Sequence, residues 1–195
     1  GLDGSGYYDG AHDVFNNVVY NWGKRATDGG THELNFVNNY YKMGPATTQT
    51  FLLRHQFEGT GKGSQAAYVS GNVRVTANGA MTQDAEGVTY KYELSGGQQL
   101  TWNPWNDKPF FESLAAIESA EAAYRNVLSD VGCNLPLLNA HDRRMVTETY
   151  NGTTSTVGSK TGKRGLIDRE WDAEGYVAIE EIARPADFDT DKDGM

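Results

Sequence analysis

Apolar and polar positions alternate through the first third of the chain, and the alternation is interrupted each time in the same way. Residues 12–20 (HDVFNNVVY), 31–42 (THELNFVNNYYK) and 66–75 (AAYVSGNVRV) each run an alternating stretch into Asn-Asn or Gly-Asn, then into a second short apolar stretch. Alternation with period two predicts strands. An amide inside an apolar run costs free energy unless it is hydrogen-bonded. Asn17, Asn39 and Asn72 therefore call for a common partner, and they recur at steps of 22 and 33 residues. A step near 22 predicts one coil of a β-solenoid, with an insertion in the longer step. One strand ends, asparagine takes the left-handed turn, and the next strand begins. Stacked coils then let the amides satisfy one another in a column. Two unrelated Asn-rich hairpin turns are the plainer alternative.

Residues 76–111 are irregular and carry Trp102, Pro104, Trp105, Pro109, Phe110 and Phe111. "NPWNDKPFF" reads as an aromatic packing loop, although stacked rings also bind sugars. From residue 112 the period changes. "SAEAAYRNVLSDVG" (119–132) has an N-cap at Ser119, Glu121 in its first turn and a stop at Gly132. A second helix is predicted over 139–150, capped by Asn139 with Asp142 at its third position. The remainder, 152–188, is loop-like with one apolar patch at 176–182. Two parts follow: residues 1–111, strands and packing loops, and residues 112–195, a helical and loop extension ending in an Asp-rich loop.

Composition narrows the function classes. The 195 residues are 38% hydrophobic and 22% charged, with 23 Gly and 5 Pro, which suits short strands joined by many turns. No apolar run approaches the ~20 residues of a membrane span. A net charge of −9 argues against generic nucleic-acid binding. An acidic chain can still hold a polyanion, through a local basic site or a bridging cation. The single cysteine, Cys133, excludes an intrachain disulfide. The chain opens on Gly1 and stops inside "DTDKDGM", so the expectation is a portion of a longer polypeptide.

Candidate chemistry is sparse. In "DTDKDG" (189–194) Asp189, Asp191 and Asp193 offer alternating oxygen ligands on one side of a tight loop, the first half of a calcium loop. Its closing acidic ligand would lie past Met195, and an empty acidic tail is the alternative. His12, His32, His55 and His141 have no zinc spacing, and "GTGKGS" (59–64) lacks the spacing of a phosphate loop. Lys24 and Arg25 follow the first Asn-Asn turn, Lys42 the second, and Arg54 lies in "TFLLRHQF". Lying after similar turns, these cations are candidates for one edge of a groove for a carboxylated polymer; solvated loop charges are the plainer reading.

"GAHDVFNNVVYNW…HELNFVNNYYKMGPAT" resembles the pectate lyases of polysaccharide lyase family 1. "AEAAYRNVLSDVG", "NAHDRRMV", "GLIDRE" and "DTDKDGM" are similar to the tail of bacterial, Bacteroidetes-like members, so the likeness covers nearly the whole chain. It implies a right-handed parallel β-helix, an all-β fold, with the Asn ladder inside it and helices and loops after it. It also implies a secreted enzyme acting on polygalacturonate. Calcium bridges the C6 carboxylate and acidifies the C5 proton. An arginine removes that proton, the C4–oxygen bond breaks, and a C4–C5 double bond forms. Gly10, Phe15, Asn16 and Asn17 match the end of the family's segment, with Asp13 where the family usually has His. Counting back without gaps puts Asp3 and Tyr8 at the two family arginine positions, and residues 1–24 contain no Arg. No catalytic residue is therefore expected in this chain. The base is expected before Gly1, on the N-terminal portion of the same enzyme, present as a further segment or a second chain. A non-catalytic carbohydrate-binding fragment is the competing class, and a lyase of another pectic polymer a third. Lys24, Arg25 and Arg54 are the candidate substrate contacts, and calcium the expected cofactor.

Overall fold

The computed structural model describes residues 2–57, 61–83, 90–94, 99–134 and 137–176. Eleven strands precede two α-helices. β1 (Ala11–Phe15), β4 (Glu33–Val37), β7 (Ala66–Ser70) and β11 (Trp105–Asn106) form one sheet in that order. β2 (Val18–Tyr20), β5 (Tyr40–Lys42), β8 (Val73–Val75) and β9 (Met81–Gln83) form a second. β3 (Thr27–Gly29), β6 (Leu53–Phe57) and β10 (Tyr90–Leu94) form a third, in the order β10-β6-β3. All pairings are parallel except β8 with β9. Helix α1 spans Ala120–Ser129 and α2 spans Ala140–Asn151.

This corrects the expected all-β solenoid: the chain is a mixed α/β arrangement of three mostly parallel sheets of short strands with two helices. The helices pack on the strands: Ala120 of α1 is buried in one cluster with Val73 and Val75 of β8. Nor do the strands repeat one unit to the end. After β8 the chain doubles back antiparallel into β9, and β11 contributes only two residues. The helices carry their own local signals. Ser119 accepts a hydrogen bond from Ala122 N and Asn139 from Asp142 N, while Gly152 closes α2 in the left-handed region.

Parallel neighbours are aligned so that the asparagines fall in register. Asn39 Oδ1 accepts from both the backbone N (3.1 Å) and Nδ2 (2.9 Å) of Asn17. Asn72 Oδ1 accepts likewise from Asn39 N (2.9 Å) and Nδ2 (2.8 Å). Asn39 and Asn72 are fully buried. The left-handed residues are their predecessors, Asn16 (φ 55°), Asn38 (φ 52°) and Gly71 (φ 68°). Each pair thus divides its work: the first residue turns the chain and the second bonds to the next level.

The first residues also fasten the return of the chain. Asn16 Nδ2 donates to Ala116 O and its Oδ1 accepts from Glu118 N, while Asn38 Nδ2 donates to Glu118 O at 2.6 Å. Asn35 holds the aromatic loop in the same way, donating to Phe111 O and accepting from Phe110 N. A Cβ at residue 71 would overlap the Asn38 amide. Gly71→Ala is therefore expected to cost about 2 kcal/mol, from left-handed strain and loss of the Asn38–Glu118 clamp. Chemical denaturation checks this; a change within about 0.5 kcal/mol, the range of an ordinary surface substitution, would contradict it.

The core joins all three sheets. Leu34, Phe36, Tyr41, Leu52, Leu53, Ala67 and Tyr90 are buried together with Trp22. Phe36 meets Tyr90 edge-on at 6.4 Å, and Trp22 meets Tyr41 edge-on at 5.7 Å. Burial pushes the Tyr41 hydroxyl up to about 12 against the opposing hydrogen bond with Thr27. Among the described residues no helix is long and apolar enough to cross a membrane.

Candidate functional site

The β3–β6–β10 sheet carries a cluster of charged side chains. Its register places Asp28 beside Arg54 and Arg54 beside Lys91, on adjacent strands. Side chains two apart on one strand share a face, so Glu93 joins the same row. Arg54 Nε donates to Asp28 Oδ1 at 3.0 Å and Nη1 to Glu93 Oε2 at 3.1 Å. Arg25 reaches Asp28 Oδ2 at 3.0 Å from the turn before β3. The Arg54 hydrogen bond, reinforced by the charges of Arg54 and Arg25, holds the Asp28 carboxyl below its ordinary range. The paired carboxylates raise the Arg54 guanidinium in return, Asp28 first.

Lys24, Arg25, Asp28, Phe51, Arg54 and Lys91 line one shallow surface depression. Lys91 Nζ stands 4.7 Å from the centre of the Phe51 ring. Lys24 and Lys91 form no ion pair among the described residues, whereas Arg25 and Arg54 do. The depression therefore gathers four cations, with Arg25 and Arg54 ion-paired to carboxylates and Lys91 against the Phe51 ring, in a chain of net charge −9.

Of the cations singled out in the sequence, Lys24, Arg25 and Arg54 come together. Lys42 does not join them. It lies on β5 in another sheet, where Nζ donates to Tyr150 O (2.7 Å) and Tyr124 Oη (3.2 Å), and burial lowers its pKa. It anchors the helices to the strands. Sequence reasoning missed Asp28, Phe51, Lys91 and Glu93, which stand far apart along the chain and meet only through sheet register. A charged second residue in each short strand of one sheet, Asp28, Arg54 and Lys91, was the available signal.

The histidines are dispersed. His32 Nδ1 meets Ser64 O at 2.7 Å, and His141 Nε2 meets Gly175 O at 2.7 Å. His55 is fully buried, 4.5 Å centre to centre from Phe57 and 6.1 Å from Trp105. Among the described residues no three His, Cys, Asp or Glu side chains gather to hold a metal ion. Asp189, Asp191 and Asp193 lie outside the described residues.

No protein-family model matches the chain. No curated protein matches it either.

Proposed function

We propose that the chain is part of a secreted pectate lyase and supplies polymer binding, with the Lys24–Arg25–Arg54–Lys91 depression holding carboxylates of polygalacturonate. The observation carrying this reading is the convergence of four cations beside Phe51 on an otherwise acidic protein. The motif "HDVFNNVVYNWG" and its resemblance to family 1 lyases supply the reaction class. When bound, calcium acidifies the C5 proton in that reaction. The described residues do not fit a calcium site, so no step is routed through the ion here.

Each residue's part follows from its partners. Arg54, braced by Asp28 and Glu93, is a fixed donor that orients a carboxylate. Lys24 and Lys91, unpaired among the described residues, supply the net attraction. Residues 1–24 carry no arginine to take the C5 proton, so the base belongs to a further segment of the enzyme or to a partner chain. The same four-cation surface also suits a carbohydrate-binding protein without catalysis.

The two readings separate on one assay. Polygalacturonate is incubated with the chain alone and with the chain joined to an arginine-bearing segment. Unsaturated product is expected only from the joined form, and chelation of calcium should abolish it. The double variant Lys24→Glu with Lys91→Glu should raise KM about tenfold with kcat nearly unchanged, because it removes attraction and not chemistry. Polymer binding without unsaturated product from the joined form would leave the binding-only reading and sink the lyase.

A further inference from the structure

Helix α2 has an apolar side that borders a void. Asp142, Met145, Val146 and Thr149 recur at i, i+3, i+4 and i+7, one face of the helix. All four line a cavity of about 370 Å³. Glu148 is the one buried residue of α2, and Met145 stays 53% exposed. Val127, Leu128 and Val131, from α1 and the turn after it, line the same cavity, as does Val18 of β2. The first half of α1 packs differently: Ala120 is buried with Val73, and Tyr124 stacks on Tyr40 at 4.3 Å. Farther along, the apolar stripes of the two helices border the cavity. Its volume falls in the range of small-molecule sites, and so does an apolar lining with few polar groups.

Most polar groups of the lining are already matched. Tyr20 Oη donates to Thr153 O at 2.8 Å. Asn21 Nδ2 donates to Arg164 O, and its Oδ1 accepts from Ala46 N. Thr149 Oγ1 donates to Met145 O. Glu148 Oε2 meets Arg144 Nη1 at 3.3 Å, and its Oε1 accepts from Ser155 N at 2.7 Å, so this end of the cavity carries no net charge. Two lining side chains have no polar partner among the described residues. The Asp142 carboxylate lies at the other end, beside Gly132, where Val131 and Met145 are exposed. Thr156 follows Ser155 at the Glu148 end; it is buried, and its Oγ1 makes no hydrogen bond. One staggered step about χ1 moves that oxygen relative to the wall. Asp142 and Thr149 stand about 10 Å apart along α2, which sets the length of the site.

We propose that this cavity binds a small arylalkylammonium compound with a hydroxyl group on the far side of its ring. The ammonium pairs with Asp142 at the open end, the ring lies among Val127, Leu128, Met145 and Val146, and the hydroxyl meets Thr156 Oγ1. Charge selects the class. Arg144 and Glu148 cancel, so the lining keeps one net negative charge, that of Asp142. An anion is repelled there, and a neutral molecule forgoes the ion pair. Length selects the arm: an ammonium on two carbons and a para hydroxyl reach toward the two ends of the site. The inference holds whether or not the polymer reading does, because it concerns another part of the fold and a ligand of opposite charge.

The test titrates tyramine into the full chain, followed by calorimetry and, with isotope labelling, by nuclear magnetic resonance. Saturable one-to-one binding is expected, with shifts at Val18, Val127, Met145 and Thr156. Para-ethylphenol, which lacks the ammonium, and para-hydroxyphenylpropionate, which carries a carboxylate in its place, should bind about fivefold more weakly or worse. Asp142→Asn should weaken tyramine by a similar factor and leave para-ethylphenol unchanged. Thr156→Val keeps the side-chain volume; it should weaken tyramine and leave phenethylamine, which has no hydroxyl, unchanged. The absence of saturable binding overturns the proposal. So does equal affinity for the amine, the neutral compound and the anion, or an Asp142→Asn variant that loses tyramine and para-ethylphenol alike. Tyramine shifts centred on Arg54 and Lys91 overturn it as well.

Discussion

Asn39→Ala is expected to lower stability by about 3 kcal/mol or more. Asn39 is fully buried and sits at the centre of the column. Its Oδ1 accepts two hydrogen bonds from Asn17, and its Nδ2 donates to Asn72 Oδ1 and to Val14 O at 3.0 Å. Truncation strands the Asn17 donors and the Val14 carbonyl on one level, each at about 1–3 kcal/mol, and takes a donor from Asn72 Oδ1 on the other, with partial relief from water reaching Asn17. Asn17→Ala removes a donor at the exposed end and should cost only about 1 kcal/mol. Asn39→Asp tests the direction of the bonds. A carboxylate keeps the acceptors but cannot donate to Asn72 or Val14, so it should be at least as damaging as alanine near neutral pH. Urea denaturation of the three variants ranks them. Equal costs for Asn17→Ala and Asn39→Ala would contradict a column graded by burial.

Acid should weaken the fold through His55 well before the carboxylates titrate. Burial lowers the His55 imidazole to about 4 from the ordinary 6.5. The carbonyls of Thr31 and Pro104 favour the protonated ring, but neither ring nitrogen completes a hydrogen bond of ordinary geometry, so burial prevails. Between pH 6.5 and about 4 the unfolded chain takes up a proton that the folded chain refuses. Stability therefore falls as pH drops through that window, and the loss is complete below about 4. The gap corresponds to about 3 kcal/mol. Asp28, whose pKa is lowered from 3.8, loses its contribution at still lower pH, so the two effects separate. His55→Phe, which keeps a ring against Phe57 and Trp105, should flatten the stability profile between pH 4 and 6.5 whatever its absolute stability. An unchanged slope in that variant would assign the acid sensitivity elsewhere.

Much of the local structure was legible and the assembly less so. The double asparagines announced both turns and their 22-residue spacing, because an amide in an apolar run needs a repeated partner. Which of each pair turns and which bonds was not legible, since Asn16 and Asn17 are chemically identical. Only Gly71, which replaces the first member of the third pair, hints that the first position is the left-handed one. Helix caps at Ser119 and Asn139 are local and could be read directly. What failed was the step from strand repeats to an all-β architecture. The repeat says nothing of how far it continues, and the burial of Ala120 against Val73 depends on contacts about 50 residues apart. The strand Thr27–Gly29 has no apolar alternation, and its place is set by pairing with β6. Lys91 was invisible as a partner of Arg54 for the same reason.

The proposed binding surface for an acidic sugar polymer rests on Lys24, Arg25, Arg54 and Lys91. A titration of the isotope-labelled chain with oligogalacturonate, followed by nuclear magnetic resonance, tests it most directly. Saturable shifts are expected at Lys24, Arg25, Phe51, Arg54 and Lys91, weakening as salt rises and absent with a neutral oligosaccharide. The absence of saturable shifts, or shifts confined to α1 and α2, would contradict the account.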